Sequence, residues 1–155
     1  MDIELVEVRS QPMLYITRVA SMAPREISGI MAEAFATIGS FIGRAGITPA
    51  GPPLALYRDW DMKTGRMEID VGFPVRPADI GKAAGEVHAG QTPAGKAYKA
   101  VHRGPYIKLR DTYTALEEHR KRAGIPQAAL AWEVYVTDPE KTPERDLLTE
   151  IYMPA

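Results

Sequence analysis

The sequence predicts an α+β fold: a duplicated βαββ unit forming an antiparallel sheet with two packed helices and a cleft at the pseudo-twofold seam. Three observations predict it. Arg44-Ala45-Gly46-Ile47 returns as Arg122-Ala123-Gly124-Ile125, a shift of 78 residues that also carries Phe35 onto Tyr113, Ile38 onto Leu116 and Tyr57 onto Tyr135. With two residues inserted in the later loop, Asp70-Val71-Gly72-Phe73-Pro74 falls on Glu150-Ile151-Tyr152-Met153-Pro154. Each copy also sets one helical-period stretch among β-rich runs. A period this long is one supersecondary unit used twice. The expectation is one domain over residues 1–155, with halves at about 1–75 and 80–155. The copies differ pointedly at one place, where Ala55 of the first becomes Glu133 of the second.

In the first copy, Ile3 to Val8 and Met13 to Val19 are β-rich runs separated by the turn Ser10-Gln11-Pro12. Ile27, Ile30, Met31, Ala34, Ile38, Phe41 and Ile42 recur at steps of three and four, one stripe of a helix. Pro24 suits the first turn of that helix, Glu26 its positive end, and Gly46 a left-handed cap. Leu54 to Arg58 and Met67 to Val75 make a hairpin. Pro74, Pro77, Gly81 and Gly85 mark a connector, because neither half could bury a sheet face alone. In the second copy Glu86 to His88 and Lys96 to His102 are strands around a turn at Gln91 to Gly95. Gly104-Pro105 opens a helix with the stripe Tyr106, Leu109, Tyr113 and Leu116, and Gly124 caps it. Leu130 to Val136 and Leu147 to Met153 close the sheet, with Pro154 ending the last strand.

Composition narrows the function classes. The chain has 155 residues, 45% hydrophobic and 25% charged, as expected of a soluble globular domain with a real core. A net charge of −1 argues against nucleic acid as a partner, since the basic run Arg120-Lys121-Arg122 shares its helix with Glu117 and Glu118. With no cysteine there is no thiolate chemistry. Met1-Asp2-Ile3-Glu4 lacks the basic-then-apolar order of a signal peptide, and no apolar run approaches the ~20 residues of a membrane span. The expectation is a cytoplasmic protein with no membrane partner.

Thr92-Pro93-Ala94-Gly95-Lys96-Ala97-Tyr98, His102-Arg103-Gly104-Pro105-Tyr106 and Trp132-Glu133-Val134-Tyr135 with Asp138-Pro139 follow one another in an order that resembles the GyrI-like small-molecule-binding domain. This is the effector-binding domain of certain AraC- and MerR-type regulators, and the resemblance covers essentially the whole chain. It implies a cleft between the halves for apolar, aromatic and often cationic compounds, with a hallmark acid that falls on Glu133. It also implies a lining of aromatic residues: Phe35 and Tyr106 from the helices, Tyr57, Trp60 and Tyr135 from the strands and their ends. The chain leaves no room for the regulators' DNA-binding domain, so direct DNA binding is not expected.

Strand alternation sets Glu133 and Tyr135 on one face and Trp132, Val134 and Val136 on the other. On that pattern alone a solvated Glu133 face is the simpler reading; the resemblance turns the carboxylate toward the cleft. A carboxylate among rings loses hydration until a cation relieves it, and the rings add cation–π attraction. The expected activity is therefore binding of a lipophilic, aromatic or cationic small molecule, for sensing or sequestration. The expected ligand-binding residues are Glu133, Tyr135, Tyr57, Phe35, Tyr106 and Trp60. Some stand-alone relatives of the resemblance open strained electrophilic rings, and a hydrolase here would use Glu133 with Tyr135 or Tyr57 as base and acid. A gyrase-inhibitor-like protein interaction is a further alternative, with no surface in the sequence to mark it. Asp59 and Asp61 are too few for a metal site. His88, His102 and His119 form no nucleophile or ligand pattern, and read as a strand, a loop and a surface helix residue. Fold analogy to the SOUL family invites haem, but no axial-ligand motif accompanies it. No cofactor is expected.

Overall fold

A computed structural model describes residues 2–21, 23–61, 63–127 and 130–155. The strands are β1 (Ile3–Val8), β2 (Pro12–Ser21), β3 (Leu54–Asp61), β4 (Arg66–Pro74), β5 (His88–Gln91), β6 (Gly95–Arg103), β7 (Leu130–Tyr135) and β8 (Leu148–Pro154). The helices are α1 (Pro24–Arg44) and α2 (Leu109–Arg122). All eight strands form one sheet in the order β1-β6-β8-β7-β3-β4-β2-β5, with every pairing antiparallel. Exchanging each strand of one half for its equivalent in the other reverses this order onto itself. The halves meet where β3 pairs with β7, in a register that sets Ala55 opposite Glu133. Since the repeat shift also carries 55 onto 133, the pseudo-dyad passes between these two residues.

The first strand of each half leaves its own unit: β1 pairs with β6, and β5 with β2. This exchange curls the sheet. β1 and β2 stand six places apart in it, about 29 Å if it were flat. Yet Val8 and Pro12 are joined by only three residues, which reach about 14 Å. Gln91 and Gly95, closing β5 and opening β6, impose the same limit from the other edge. The two links meet, Thr92 N–H donating to the Gln11 carbonyl and Gln11 N–H to Thr92 Oγ1, both at 2.8 Å. The face turned inward by the curl becomes a core of Met13, Leu54, Leu56, Ala97 and Trp132, against which Val8, Tyr15 and Tyr152 pack. Trp132, stacked on Tyr152 with ring centroids 5.2 Å apart, is only 4% exposed although no helix covers it.

The helices lie on the outer face. α1 packs on β2 and β4, burying Ala34, Ile38 and Ile42, and α2 packs on β6 through Leu116. Equivalent sheet positions anchor the two helices. Arg18, paired with Ile69, reaches α1 through Glu33 at 2.9 Å; His102, paired with Thr149, reaches α2 through Thr112 Oγ1 at 2.9 Å. Between the helices a strip of β8, β7 and β3 is left for the site.

Three local readings are corrected. The strand expected at Glu86 to His88 is His88–Gln91 instead: Glu86 lies in a turn, and β5 follows the partner strand β2 as far as the Pro12–Gln91 pair, so Gln91 belongs to a strand and not a turn. Tyr106 lies in a 3-10 turn (Tyr106–Lys108) before α2 rather than on the helix: the chain leaves the left-handed Gly104 (φ 122°) and Pro105 and needs one tighter turn to align with α2. His102 is no loop residue but a buried member of β6. Its Nε2 lies 3.0 Å from the Pro105 carbonyl, which can only accept, so Nε2 carries the proton.

Among the glycines, Gly72 marks the tightest approach. A Cβ there would sit 2.2 Å from the Leu14 carbonyl oxygen and 2.9 Å from Tyr15 Cα, backbone atoms that no rotamer change can move. Gly72→Ala is expected to lower unfolding free energy by about 3 kcal/mol in urea denaturation. Gly43→Ala, where a Cβ meets nothing within 4 Å on the helix, is expected to be neutral or stabilising.

Candidate functional site

Three carboxylates are buried among the described residues: Asp70 (7% exposed), Asp79 (2%) and Glu133 (3%). Two are neutralised. Arg58 holds Asp70 in a fork of two bonds, Nε to Oδ2 at 2.7 Å and a terminal guanidinium nitrogen to Oδ1 at 3.0 Å, and the Thr17 hydroxyl adds a third at 2.7 Å. Arg76 and Lys82 clamp Asp79 at 3.1 and 3.0 Å. Glu133 has no such partner among the described residues.

Phenols take the place of cations around it. The Tyr113 hydroxyl of α2 donates to Oε2 at 2.5 Å, and the Tyr135 hydroxyl of β7 to Oε1 at 2.6 Å. The Tyr57 hydroxyl of β3 approaches Oε1 at 3.4 Å and lies 4.0 Å from Met31 Sδ on α1. Phe35 meets Tyr135 edge-on at 5.4 Å, and Tyr106 meets the same ring edge-on at 5.9 Å. These rings are half-buried or exposed, while the carboxylate beneath them is shut off from solvent. Rings fill the cleft between the helices and the carboxylate forms its floor.

Loss of hydration pushes the Glu133 carboxyl above the usual carboxylate range, and the bonds from Tyr113, Tyr135 and Tyr57, with His102 nearby, oppose that rise only in part. Burial and the adjacent carboxylate drive all three phenols well above the ordinary tyrosine range, so they stay protonated donors. The site is a hydrogen-bonded acid that lacks a positive charge.

Of the six residues expected to line a site, five come together here: Glu133, Tyr135, Tyr57, Phe35 and Tyr106. The side chain of Trp60 lies outside the described residues. Tyr113, which the helical stripe places among packing residues, is the closest donor to Glu133. The signal was present, since the repeat carries Phe35 onto Tyr113, and in the structure both residues face the seam from equivalent helices. No cluster of His, Cys, Asp or Glu suited to a metal ion occurs among the described residues. None of their helices is long and apolar enough to cross a membrane.

The sequence matches the model of the GyrI-like small-molecule-binding domain over residues 1–155. The chain belongs to that family. No curated protein matches it. Among solved structures, the EcmrR C-terminal domain is similar, with a TM-score of 0.82 at 23% identity over 99% of this chain and 96% of that one. In the EcmrR–DNA complex the likeness covers 56% of the EcmrR chain, so this chain spans little more than half of that relative. SAV2435 bound to tetraphenylphosphonium aligns with a TM-score of 0.69 at 16% identity, over 99% of this chain and 93% of that one. A hydrolase encoded by lin2189 from Listeria innocua aligns with a TM-score of 0.60 at 13% identity, over 98% and 90%. At these identities the likeness is one of fold, and the α+β architecture is that of the GyrI-like domains.

A carboxyl whose folded-state pKa is raised stabilises the fold fully below its unfolded pKa and loses that contribution as pH rises through the folded value. Compared with Glu133→Gln, wild type is therefore expected to lose stability as pH climbs above about 4.5, the ordinary value. Urea denaturation of both proteins at a series of pH values checks this, with a constant difference counting against an uncompensated acid.

Proposed function

We propose that this protein binds lipophilic aromatic cations in the cleft over Glu133, acting in sensing or sequestration. The observation that carries this reading is the contrast among buried acids: Asp70 and Asp79 have their cations built in, and Glu133 has only phenols and rings. A cation entering beside Glu133 supplies the missing charge in a low-dielectric site, and the rings of Phe35, Tyr57, Tyr106, Tyr113 and Tyr135 supply apolar and cation–π contact. The phosphonium held by the structurally similar SAV2435 is a ligand of this chemical kind. The site residues are accordingly Glu133, Tyr135, Tyr57, Phe35 and Tyr106, with Tyr113 added by the geometry.

Tetraphenylphosphonium is expected to bind at micromolar levels and an anionic dye of similar size not to bind. Glu133→Gln should weaken the phosphonium about tenfold or more while leaving neutral aromatic ligands little changed. Because the phosphonium charge is permanent and the phenols remain protonated, its affinity should rise with pH as Glu133 ionises, with about one proton released per ligand bound at low pH. Calorimetry in buffers of different ionisation enthalpy measures both. Equal binding of cationic and anionic probes would overturn the reading.

A carboxylate beside protonated phenols is also the pair that a ring-opening hydrolase needs, and a relative of this fold is described as a hydrolase. Turnover of a strained, electrophilic ring that Glu133→Gln abolishes with binding retained would favour that second reading.

A further inference from the structure

Glu133 is not the only place where the second half turns polar at the seam. Thr149 of β8 is 0% exposed, and its hydroxyl has no hydrogen-bond partner among the described residues. The other buried residues on this helix-covered face of β8 are apolar, Ile151 and Met153. The repeat that carries Asp70 onto Glu150 carries Ile69 onto Thr149, and Ile69 is a fully buried core residue. The register agrees, since Tyr57 pairs with Ile69 just as Tyr135 pairs with Thr149. The same seam therefore holds Ala55 and Ile69 on one side of the pseudo-dyad and Glu133 and Thr149 on the other.

Among the described residues nothing around Thr149 uses its hydroxyl. Its neighbour across β6 is His102, whose ring nitrogens are both committed, one to Thr112 and one to the Pro105 carbonyl. Its neighbour across β7 is Tyr135, whose hydroxyl is committed to Glu133. Valine would fill the same volume without leaving a buried donor unpaired, so a purely structural role favours valine. Glu133 lies diagonally across the ladder from Thr149, with about 7 Å between backbone positions.

We propose that Thr149 is a specificity-determining residue of the cleft, a second, neutral polar anchor about 7 Å from the charge anchor Glu133. It takes a hydroxyl, carbonyl or amide of the ligand when the rings part to admit it. The preferred ligand class is then a lipophilic cation bearing one neutral hydrogen-bonding group a strand spacing from its charge, rather than a cation clad only in hydrocarbon. This inference rests on the cation reading of Glu133 and refines it.

Three probes test it: tetraphenylphosphonium and its two analogues carrying one hydroxyl at the meta or para position of a single ring. Wild type should bind one of the hydroxylated probes about tenfold more tightly than the parent, the worth of one buried hydrogen bond. Thr149→Val should lose that preference, keep its affinity for the parent probe and melt at a higher temperature without ligand. Thr149→Ser should keep the preference. A preference that survives in Thr149→Val, or is missing from wild type, overturns the proposal even if the parent phosphonium binds through Glu133. If Thr149→Val melts lower and discriminates as wild type does, the residue is structural and the proposal fails. Parent binding that is absent, or indifferent to Glu133→Gln, overturns the underlying cation reading instead.

Discussion

The interaction on which this structure turns is a buried carboxylate held by phenols alone. Glu133 sits on the pseudo-dyad, opposite Ala55 in the central pair of strands. That position explains why the two copies had to differ. Carboxylates at both places would face each other directly across the ladder in a dry site, where like charges so close cannot both ionise. One copy therefore carries the acid and the other a methyl group that leaves room for it. The symmetric fold delivers hydroxyls from both sides of the axis, Tyr57 and Tyr135 at equivalent strand positions and Tyr113 from the second helix. One unpaired charge thus accounts for the aromatic crowding over the seam.

The curl of the sheet makes that seam available. The exchange of β1 and β5 between halves, joined to their own units by three-residue links, draws the sheet edges together and encloses Trp132 and Leu54 without a covering helix. Both helices are then free to lie on the outer face, each over its own half, and the central strip between them is covered only by side chains. A flat sheet of eight strands would need helices across its middle to bury that strip. The inner core and the outer cleft are two faces of the same bend, and alternate residues of β7, Trp132 and Glu133, serve one each.

The two halves differ in polarity at the seam. The anchoring positions keep their task with different chemistry, an ion pair from Arg18 to Glu33 in one half and a hydrogen bond from His102 to Thr112 in the other. The seam positions change character, from Ala55, Ile69 and Phe35 to Glu133, Thr149 and Tyr113. Each change places a polar group where its counterpart is apolar, and the buried acid and the unpaired Thr149 hydroxyl work against stability because they are removed from water. The first half holds the larger buried core and the second half the polar groups at the seam.

The sequence by itself determined the two-fold architecture, the positions of both helices and seven of the eight strands, and the candidacy of Glu133. These follow from local periodicity, glycine and proline punctuation, and a self-match that needs no knowledge of neighbours. The strand face of Glu133 and Tyr135 was legible for the same reason, since alternation is a property of one strand. Only the tertiary structure decided that β5 runs on to Gln91, because the partner strand β2 sets its length, and that Tyr106 stands in a tight turn ahead of α2. It alone set Tyr113 as the closest donor to Glu133, left Thr149 without a partner, and gave Asp70 and Asp79 the cations that Glu133 lacks. A local pattern shows which way a side chain points. Whether a buried charge or hydroxyl meets a partner depends on segments up to 76 residues away, and that is a fact of packing alone.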